Sequence, residues 1–300
     1  MTDTWQPRIV VDEALVDEGP VAALQALLDD GLPTVGPGDP LPPLWHWVAL
    51  PRWSPSSVLG LDGHPARGSF LPPVELPRRM FAGGAVTFHA PVRVGDVVRR
   101  EAAVTAVEHK QGRSGELVVV TVVTRLSAGG RLAVEETQDL VYRGEGARSA
   151  PAPVAELAPA APLARAGEWA WSFRTDPTLL MRFSAATANA HRIHYDHPYA
   201  TAVEGYPGLV VHGPLMTLAL AEVARLEGVA GGRVRRLAHR NLAPLFCGAP
   251  ATLRRTSVDT AEGTTTIQLL SPDGESETPR TTLTLWVDED SPEDSRGERQ

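Results

Sequence analysis

Two series of β-branched runs, set on either side of a proline- and alanine-rich segment, constrain this chain more than any other feature. The first series holds "GGAVTFHAPVRVGDVVRREAAVTAVEHK" from Gly83, "GELVVVTVVTRLSAGG" from Gly115 and "RLAVEETQDLVYR" from Arg131. The second holds "RRLAHRNLAPLFCGAPATLRRTSVDTAEG" from Arg235, "TTTIQLLSPDG" from Thr264 and "RTTLTLWVDE" from Arg280. Val, Ile and Thr runs separated by glycine turns read as successive antiparallel strands. Between the series, Gly146 to Ala166 contains no aromatic residue and reads as a semi-extended linker. Each series also carries one P-x-x-x-G where a strand ends and the next begins, Pro91 with Gly95 and Pro244 with Gly248. A repeated strand order with a repeated turn predicts a duplicated fold. The expected boundaries are 1–145 and 167–288 for the repeats, 146–166 for the linker and 289–300 for a charged, frayed tail.

A helix is expected ahead of each series. In the second half, "HGPLMTLALAEVARLEG" places Pro214 in the first turn, Gly228 at the end, and apolar residues at 215, 218, 219, 223 and 226. Such a wide apolar stripe predicts a helix wrapped by sheet. In the first half "LPPLWHWVALPRW", broken by Pro51, gives only a degenerate counterpart.

Composition narrows the function classes. A net charge of -8 leaves no basic stripe for a nucleic-acid backbone. No segment has the length of a membrane span, and the N-terminus lacks a signal-peptide pattern, so a soluble cytoplasmic protein is expected. Cys247, the single cysteine, excludes an internal disulfide and a thiolate cage, and reads as a small core residue.

Chemistry concentrates in "FSAATANAHRIHYDHPYA", residues 183 to 200. Asp176 as N-cap and Pro177 start a helix that should end near Ala188, which leaves His191, His194, His197 and Asp196 in the connection that follows. Three readings of the cluster compete. One is a surface loop with local hydrogen bonds, in which Asp196 is an N-cap. A second is a metal site using His191 and His194 with Asp196 or His212. The third is acid–base chemistry by a histidine, with Asn189 holding the reacting group and the Gly213 amide at a helix N-terminus facing developing negative charge.

The same stretch, followed by "GLVVHGPLM", resembles the hydratase motif of MaoC-like, (R)-specific enoyl-thioester hydratases and dehydratases. That resemblance puts His194 on the family histidine and Gly213 on the oxyanion-hole glycine. Asn189 falls where the family has an aspartate, and Ala221 where it has a supporting hydroxyl residue. With "LPPLWHWVAL", "GHPARGSFLPPVELPRRMFAGG" and "GRSGELVVVTV", the chain from about residue 10 to 288 resembles the type 2 hydroxyacyl-thioester dehydratases and mesaconyl-CoA hydratases, in which the asparagine is usual.

The resemblance implies an α+β double hotdog, each repeat an antiparallel sheet wrapped around a helix. It implies reversible hydration of an enoyl thioester on CoA or acyl-carrier protein, with no cofactor and no metal, in a homodimer. His194 is the expected acid–base group, Asn189 orients water or hydroxyl, and Gly213 N–H binds the thioester oxygen; His191 is the candidate second acid–base group. Val211, His212 and Tyr206 are expected to shape the substrate approach. Trp45 and Trp47 are candidates for acyl contacts or for core packing. Arg78 and Arg79 are candidates for CoA phosphates, for a substrate carboxylate or for an exposed ion pair. A non-catalytic acyl-thioester-binding subunit is the alternative from another class. A thioesterase is the weaker one, because Ser184 has no base beside it in the sequence.

Overall fold

The computed structural model describes residues 5–112, 115–146, 148–151, 158, 160–229, 234–274 and 276–288. The tail expected at 289–300 and residues 147, 152–157 and 159 of the 146–166 segment lie outside the described residues.

One antiparallel sheet of eleven strands runs through the described residues. The first half supplies β1 (Val10–Leu15), β2 (Arg78–Phe88), β3 (Val97–Gly112), β4 (Gly115–Ala128) and β5 (Arg131–Arg143). The second supplies β6 (Leu163–Gly167), β7 (Ala170–Phe173), β8 (Val234–Asn241), β9 (Ala251–Asp259), β10 (Thr264–Asp273) and β11 (Ser276–Val287). The two series meet where β2 pairs with β8, Gly83 opposite Arg240 and Thr87 opposite Arg236. Outward from that seam the order is β2-β5-β4-β3-β1 on one side and β8-β11-β10-β9-β7-β6 on the other. One strand order has been used twice, as the paired runs in the sequence require. β6 begins at Leu163, so the end of the stretch read as linker is strand.

The shared P-x-x-x-G has a local cause. Gly95 (φ 98°) and Gly248 (φ 81°) both sit in the left-handed region, just before β3 and β9, where a side chain would be strained. Gly84 answers to a different demand at the seam. A Cβ there would lie 2.0 Å from the Thr137 carbonyl oxygen of β5.

Among the described residues, four α-helices pack against the sheet and one another. α1 (Glu18–Leu28) is capped by Asp17, whose carboxylate accepts the Gly19 N–H at 2.7 Å, and buries Val21, Leu24, Leu27 and Leu28. β1 and α1 lie outside the elements expected from the sequence, although the Asp17 cap and the apolar spacing were both present in it. The helix expected at 41–53 contracts to one turn, α2 (His46–Ala49). Pro51 and the preceding prolines deny it length. α3 (Pro177–Ala186) has Asp176 as N-cap, accepting from Leu179 N–H at 2.8 Å. α4 (Gly213–Leu226) is buried without interruption from Leu215 to Ala224, covered by β2, β8, β10 and β11 on its sheet side. Its wide apolar stripe is therefore the core of the second half, where truncating one leucine costs about 2–5 kcal/mol.

Candidate active site

The loop after α3 is held in shape by its own polar groups. Thr187 Oγ1 donates to the Phe183 carbonyl at 2.7 Å and closes the helix. Ala188 then adopts φ 53°, a left-handed conformation unusual for a residue with a Cβ, which turns the chain sharply into Asn189. The Asn189 side-chain oxygen accepts the His191 N–H at 3.1 Å. Its acceptor thus stabilises an Asx turn, and its NH2 remains to serve the cavity that Asn189 lines. Further along, Asp196 caps the π-helical turn Tyr199–Val203 through Tyr199 N–H (3.1 Å) and pairs with Arg192 (2.7 Å). That is the N-cap role, and it removes Asp196 from any metal set. Tyr195 OH donates to the Ala190 carbonyl at 2.8 Å, which braces the loop locally.

His194 is buried, and its Nδ1 lies 2.7 Å from the Val210 carbonyl oxygen. A carbonyl only accepts, so Nδ1 carries the hydrogen and Nε2 keeps a lone pair in the neutral ring. The ring stacks on His212 at 3.6 Å with planes 21° apart. Burial holds the His194 pKa well below the ordinary imidazole value, and the neighbouring His212 and His191 add to the shift. His194 is therefore a neutral base at neutral pH. His212 is fully buried and pushed down to about 3, again chiefly by burial.

His212 Nε2 lies 2.8 Å from Ser184 Oγ, so Ser184 does have a base beside it, contrary to the sequence reading. The pair is buried, and His212 Nδ1 has no hydrogen-bond partner among the described residues. No carboxylate orients it as a hydrolytic triad would require. His212 is fully buried, stacks on the His194 ring and does not line the cavity described below. Val211 is likewise buried, its N–H donated to the Leu245 carbonyl at 2.9 Å.

Gly213 opens α4, where the first-turn N–H groups have no acceptor within the helix. A Cβ at this position would fall 2.9 Å from Asn241 Nδ2 and 3.2 Å from Phe81 Cδ1. Asn241 is itself fixed, donating to the Phe81 carbonyl (3.1 Å) and accepting from Thr281 Oγ1 (2.8 Å). The helix start is thus pinned to β2, β8 and β11, with the positive end of its dipole next to the cavity residue Pro214.

The first half also holds the hydratase-like loop in place. Its loop at 60–66 clamps the outer side of the hydratase-like loop: Arg192 donates its N–H to the Asp62 carbonyl (2.9 Å) and Nη1 to the Leu61 carbonyl (3.1 Å). Gly63 (φ 88°) is pressed so closely that a Cβ would lie 1.8 Å from the Ala190 carbonyl oxygen. His64 Nδ1 pairs with Asp62 Oδ2 at 3.1 Å, and the His64 ring lies 4.1 Å from that of His191. His191 is edge-on to His194 at 5.5 Å and has Nε2 3.7 Å from Glu204 Oε1. Asp62, His64 and His191 form a group able to hold a cation; the set weighed in the competing metal reading, His191 and His194 with Asp196 or His212, is not assembled among the described residues. The only local hint of the clamp was "LDGHP" at 61–65.

A cavity of about 380 Å³ extends from Asn189, Thr187, Phe183 and Pro214 into the first half. Trp47 and His46 line it, both hydrogen-bonded to the buried Glu136, Trp47 Nε1 at 2.8 Å and His46 Nε2 at 3.3 Å. Gln138 donates to the same carboxylate at 2.7 Å. Trp45 does not line the cavity; it is buried against α4, with Nε1 3.4 Å from Glu222. Arg78 makes an ion pair, but not the exposed one considered from the sequence. It is buried, donates to the Glu204 carbonyl, lies 3.8 Å from the Glu204 carboxylate, and covers the Tyr206 ring at 4.9 Å. Tyr206 packs there, its phenol pKa raised by burial. Arg79 is half-buried near His64. Cys247 packs against the core, its thiol pushed up to about 12 by burial, so it is no nucleophile.

Residues 44–247 match the family model of hydroxyacyl-thioester dehydratase type 2. The chain is 47% identical over 243 residues to mesaconyl-C(4)-CoA hydratase of Chloroflexus aurantiacus, covering 80% of this chain and 83% of that one. It is 26% identical over 270 residues to the mitochondrial hydroxyacyl-thioester dehydratase type 2 of Schizosaccharomyces pombe, covering 80% and 88%. Among solved structures, a MaoC-like dehydratase is similar at TM-score 0.66 and 15% identity over 96% of this chain and 99% of that one. A Mycobacterium tuberculosis protein described as a double hotdog is similar at TM-score 0.52 and 17% identity, covering 95% and 96%. The mirrored sheet, the buried α4 and a matched region that includes both the loop and the helix start agree: this chain belongs to the type 2 hydroxyacyl-thioester dehydratases, MaoC-like hydro-lyases of the double-hotdog fold.

Proposed function

We propose that the cavity beside Asn189 binds an α,β-unsaturated acyl-CoA and that water is added across its double bond, or removed in the reverse direction, by His194, which is buried in the same loop as Asn189 and does not itself line the cavity. The observation that carries this is the His194 Nδ1 contact to the Val210 carbonyl, which leaves a neutral Nε2 as the available base. As water attacks the β carbon, its proton passes to Nε2 and the double-bond electrons move to the thioester oxygen. Gly213 N–H and the α4 dipole stabilise that enolate; losing such a donor costs roughly 3 to 4 kcal/mol. The proton then goes to the α carbon and the carbonyl re-forms. Asn189 donates its NH2 to the oxygen being added.

One base serves both transfers in this reading, because His191 lies behind the loop between His64 and His194. Residues 167–288 then carry the chemistry and 1–145 the acyl cavity with its clamping loop. The acyl group packs against a wall that is mostly apolar, with Leu50, Phe70, Leu71, Val122 and Leu140 beside the polar Glu136, Arg52 and Arg100, and the mesaconyl unit of the Chloroflexus relative's name is one acyl group to test in it. A homodimer in the cytoplasm completes the proposal; light scattering at the mass of one 32.1 kDa chain would remove the dimer.

The test is hydration of crotonyl-CoA and mesaconyl-CoA followed by loss of enoyl-thioester absorbance. Turnover that disappears in His194→Ala supports the reading, and binding without turnover by the wild type favours a binding subunit.

A further inference from the structure

Asp62 and His64 of the 60–66 loop meet His191 of the hydratase-like loop where the two halves are clamped together, and the proton transfers use none of the three. One donor atom of each lies within 4.8 Å of the other two. Two donors about 2.1 Å from one zinc ion stand about 3.4 Å apart, and His64 Nδ1 is already 3.1 Å from Asp62 Oδ2. Asp62 Oδ1 accepts the His64 N–H at 3.0 Å, which fixes the carboxylate against the imidazole. His191 supplies the observation that hydrogen bonding leaves unexplained. It is buried, yet its Nε2 has no hydrogen-bond partner among the described residues. Glu204 Oε1 stands 3.7 Å from that nitrogen, too far for a hydrogen bond and near the spacing of two donors on one ion. A bound cation would match a buried polar atom that is otherwise costly to leave bare.

We infer that Asp62, His64 and His191 form a binding site for a divalent transition metal of the zinc class, which staples the 60–66 loop to the hydratase-like loop. None of the three lines the cavity, so the ion is structural, and the inference does not depend on the hydratase reading. Burial pushes His64 down to about 3, which leaves its ring neutral and able to offer a lone pair. A cation replacing the hydrogen shared with Asp62 needs only that His64 carry its proton on Nε2 instead. Asp62, which burial alone would raise, is held well below the usual carboxylate range by its hydrogen bonds from His64. Arg78 engages the Glu204 Oε2 side at 3.8 Å and leaves Oε1 facing His191, where it or a water would complete the coordination. Arg79 also acts on His64, so the ion must be held by donor bonds to imidazole more than by net charge. That selects zinc-like ions over calcium or magnesium.

The experiment titrates zinc chloride into the full chain after EDTA treatment and desalting, with calorimetry and thermal melts on the wild type and on His64→Gln. The wild type should take up one equivalent at micromolar zinc and gain about 5 °C or more in Tm, because an ion that binds only the folded form stabilises it by mass action. His64→Gln, close in size but without an imidazole, should lose both the uptake and the gain. A second measurement needs no variant: anomalous diffraction at the zinc edge from wild-type crystals soaked in zinc chloride should show a peak bounded by Asp62, His64 and His191. If His64→Gln fails to fold, that peak decides alone. No uptake by the wild type, a peak only elsewhere on the chain, or uptake and Tm gain retained in a folded His64→Gln protein would each overturn the site.

Discussion

His194 illustrates how one backbone contact decides a side chain's chemistry. The Val210 carbonyl fixes the tautomer, the stacked His212 fixes the ring plane, and burial keeps the ring uncharged. The base form is lost only on protonation, and the folded pKa lies below the ordinary 6.5. The acidic limb of kcat/KM should therefore lie below pH 6.5, not at it. Asn189→Asp keeps the oxygen that accepts from His191 N–H, so the loop should still form. Its new negative charge would favour imidazolium at His194 and move that limb upward. A pH–rate profile of both proteins checks this; a wild-type limb at or above 6.5 would contradict the neutral-base assignment. The sequence named His194, Asn189 and Gly213, because all three lie within one short motif and its helix start. It did not reveal Ser184 beside His212, whose partnership across 28 residues exists only once the loop has folded back on α3.

At the level of elements, the clamp between the 60–66 loop and the hydratase-like loop is the least substitutable contact. Gly63→Ala would drive a Cβ into the Ala190 carbonyl at a φ that disfavours side chains. Destabilisation of about 2 kcal/mol or more is expected, with a fall in kcat/KM although Gly63 touches no substrate. Urea melts read beside the assay measure both, and a variant with wild-type stability and activity would show that the clamp does not hold the site. Periodicity made α4 and the strand series legible, since the α4 stripe and the β-branched runs are local patterns. β1 and α1 are short and lie ahead of the β-branched series, so neither belongs to the repeated pattern, and prolines limit the tryptophan-rich stretch at 41–53 to one turn. The clamp was illegible for another reason: Asp62 and His64 meet His191 across more than a hundred residues of chain.

The whole molecule keeps several buried imidazoles neutral, with a consequence for its acid stability. His64, His212 and His239 have folded pKa values of about 3, 3 and 4, each depressed mainly by burial. Their unfolded forms take protons below about 6.5 while the folded forms do not. Stability present above pH 6.5 should thus be lost as pH falls toward 4. Glu222 works the other way. Burial raises its pKa to about 7, so its contribution is present below about 4.5 and lost as pH rises through 7. Three histidines outweigh one carboxyl, and the melting temperature should drop steadily from pH 7 to pH 4; a flat or rising melting temperature would contradict the neutral assignments. At this scale the duplicated sheet was readable from the paired runs and turns. The cavity was not, because Asn189, Trp47, Glu136 and Arg100 come from four separate parts of the chain and come together only in the folded structure.

The most direct test of the central claim is the hydration assay on wild type and His194→Ala, with crotonyl-CoA and mesaconyl-CoA as substrates and circular dichroism as the control for folding. The expected result is turnover by the wild type and a loss in kcat of about 10²- to 10⁴-fold in the variant, with an unchanged spectrum. Wild-type turnover that survives intact in a folded His194→Ala protein would contradict it.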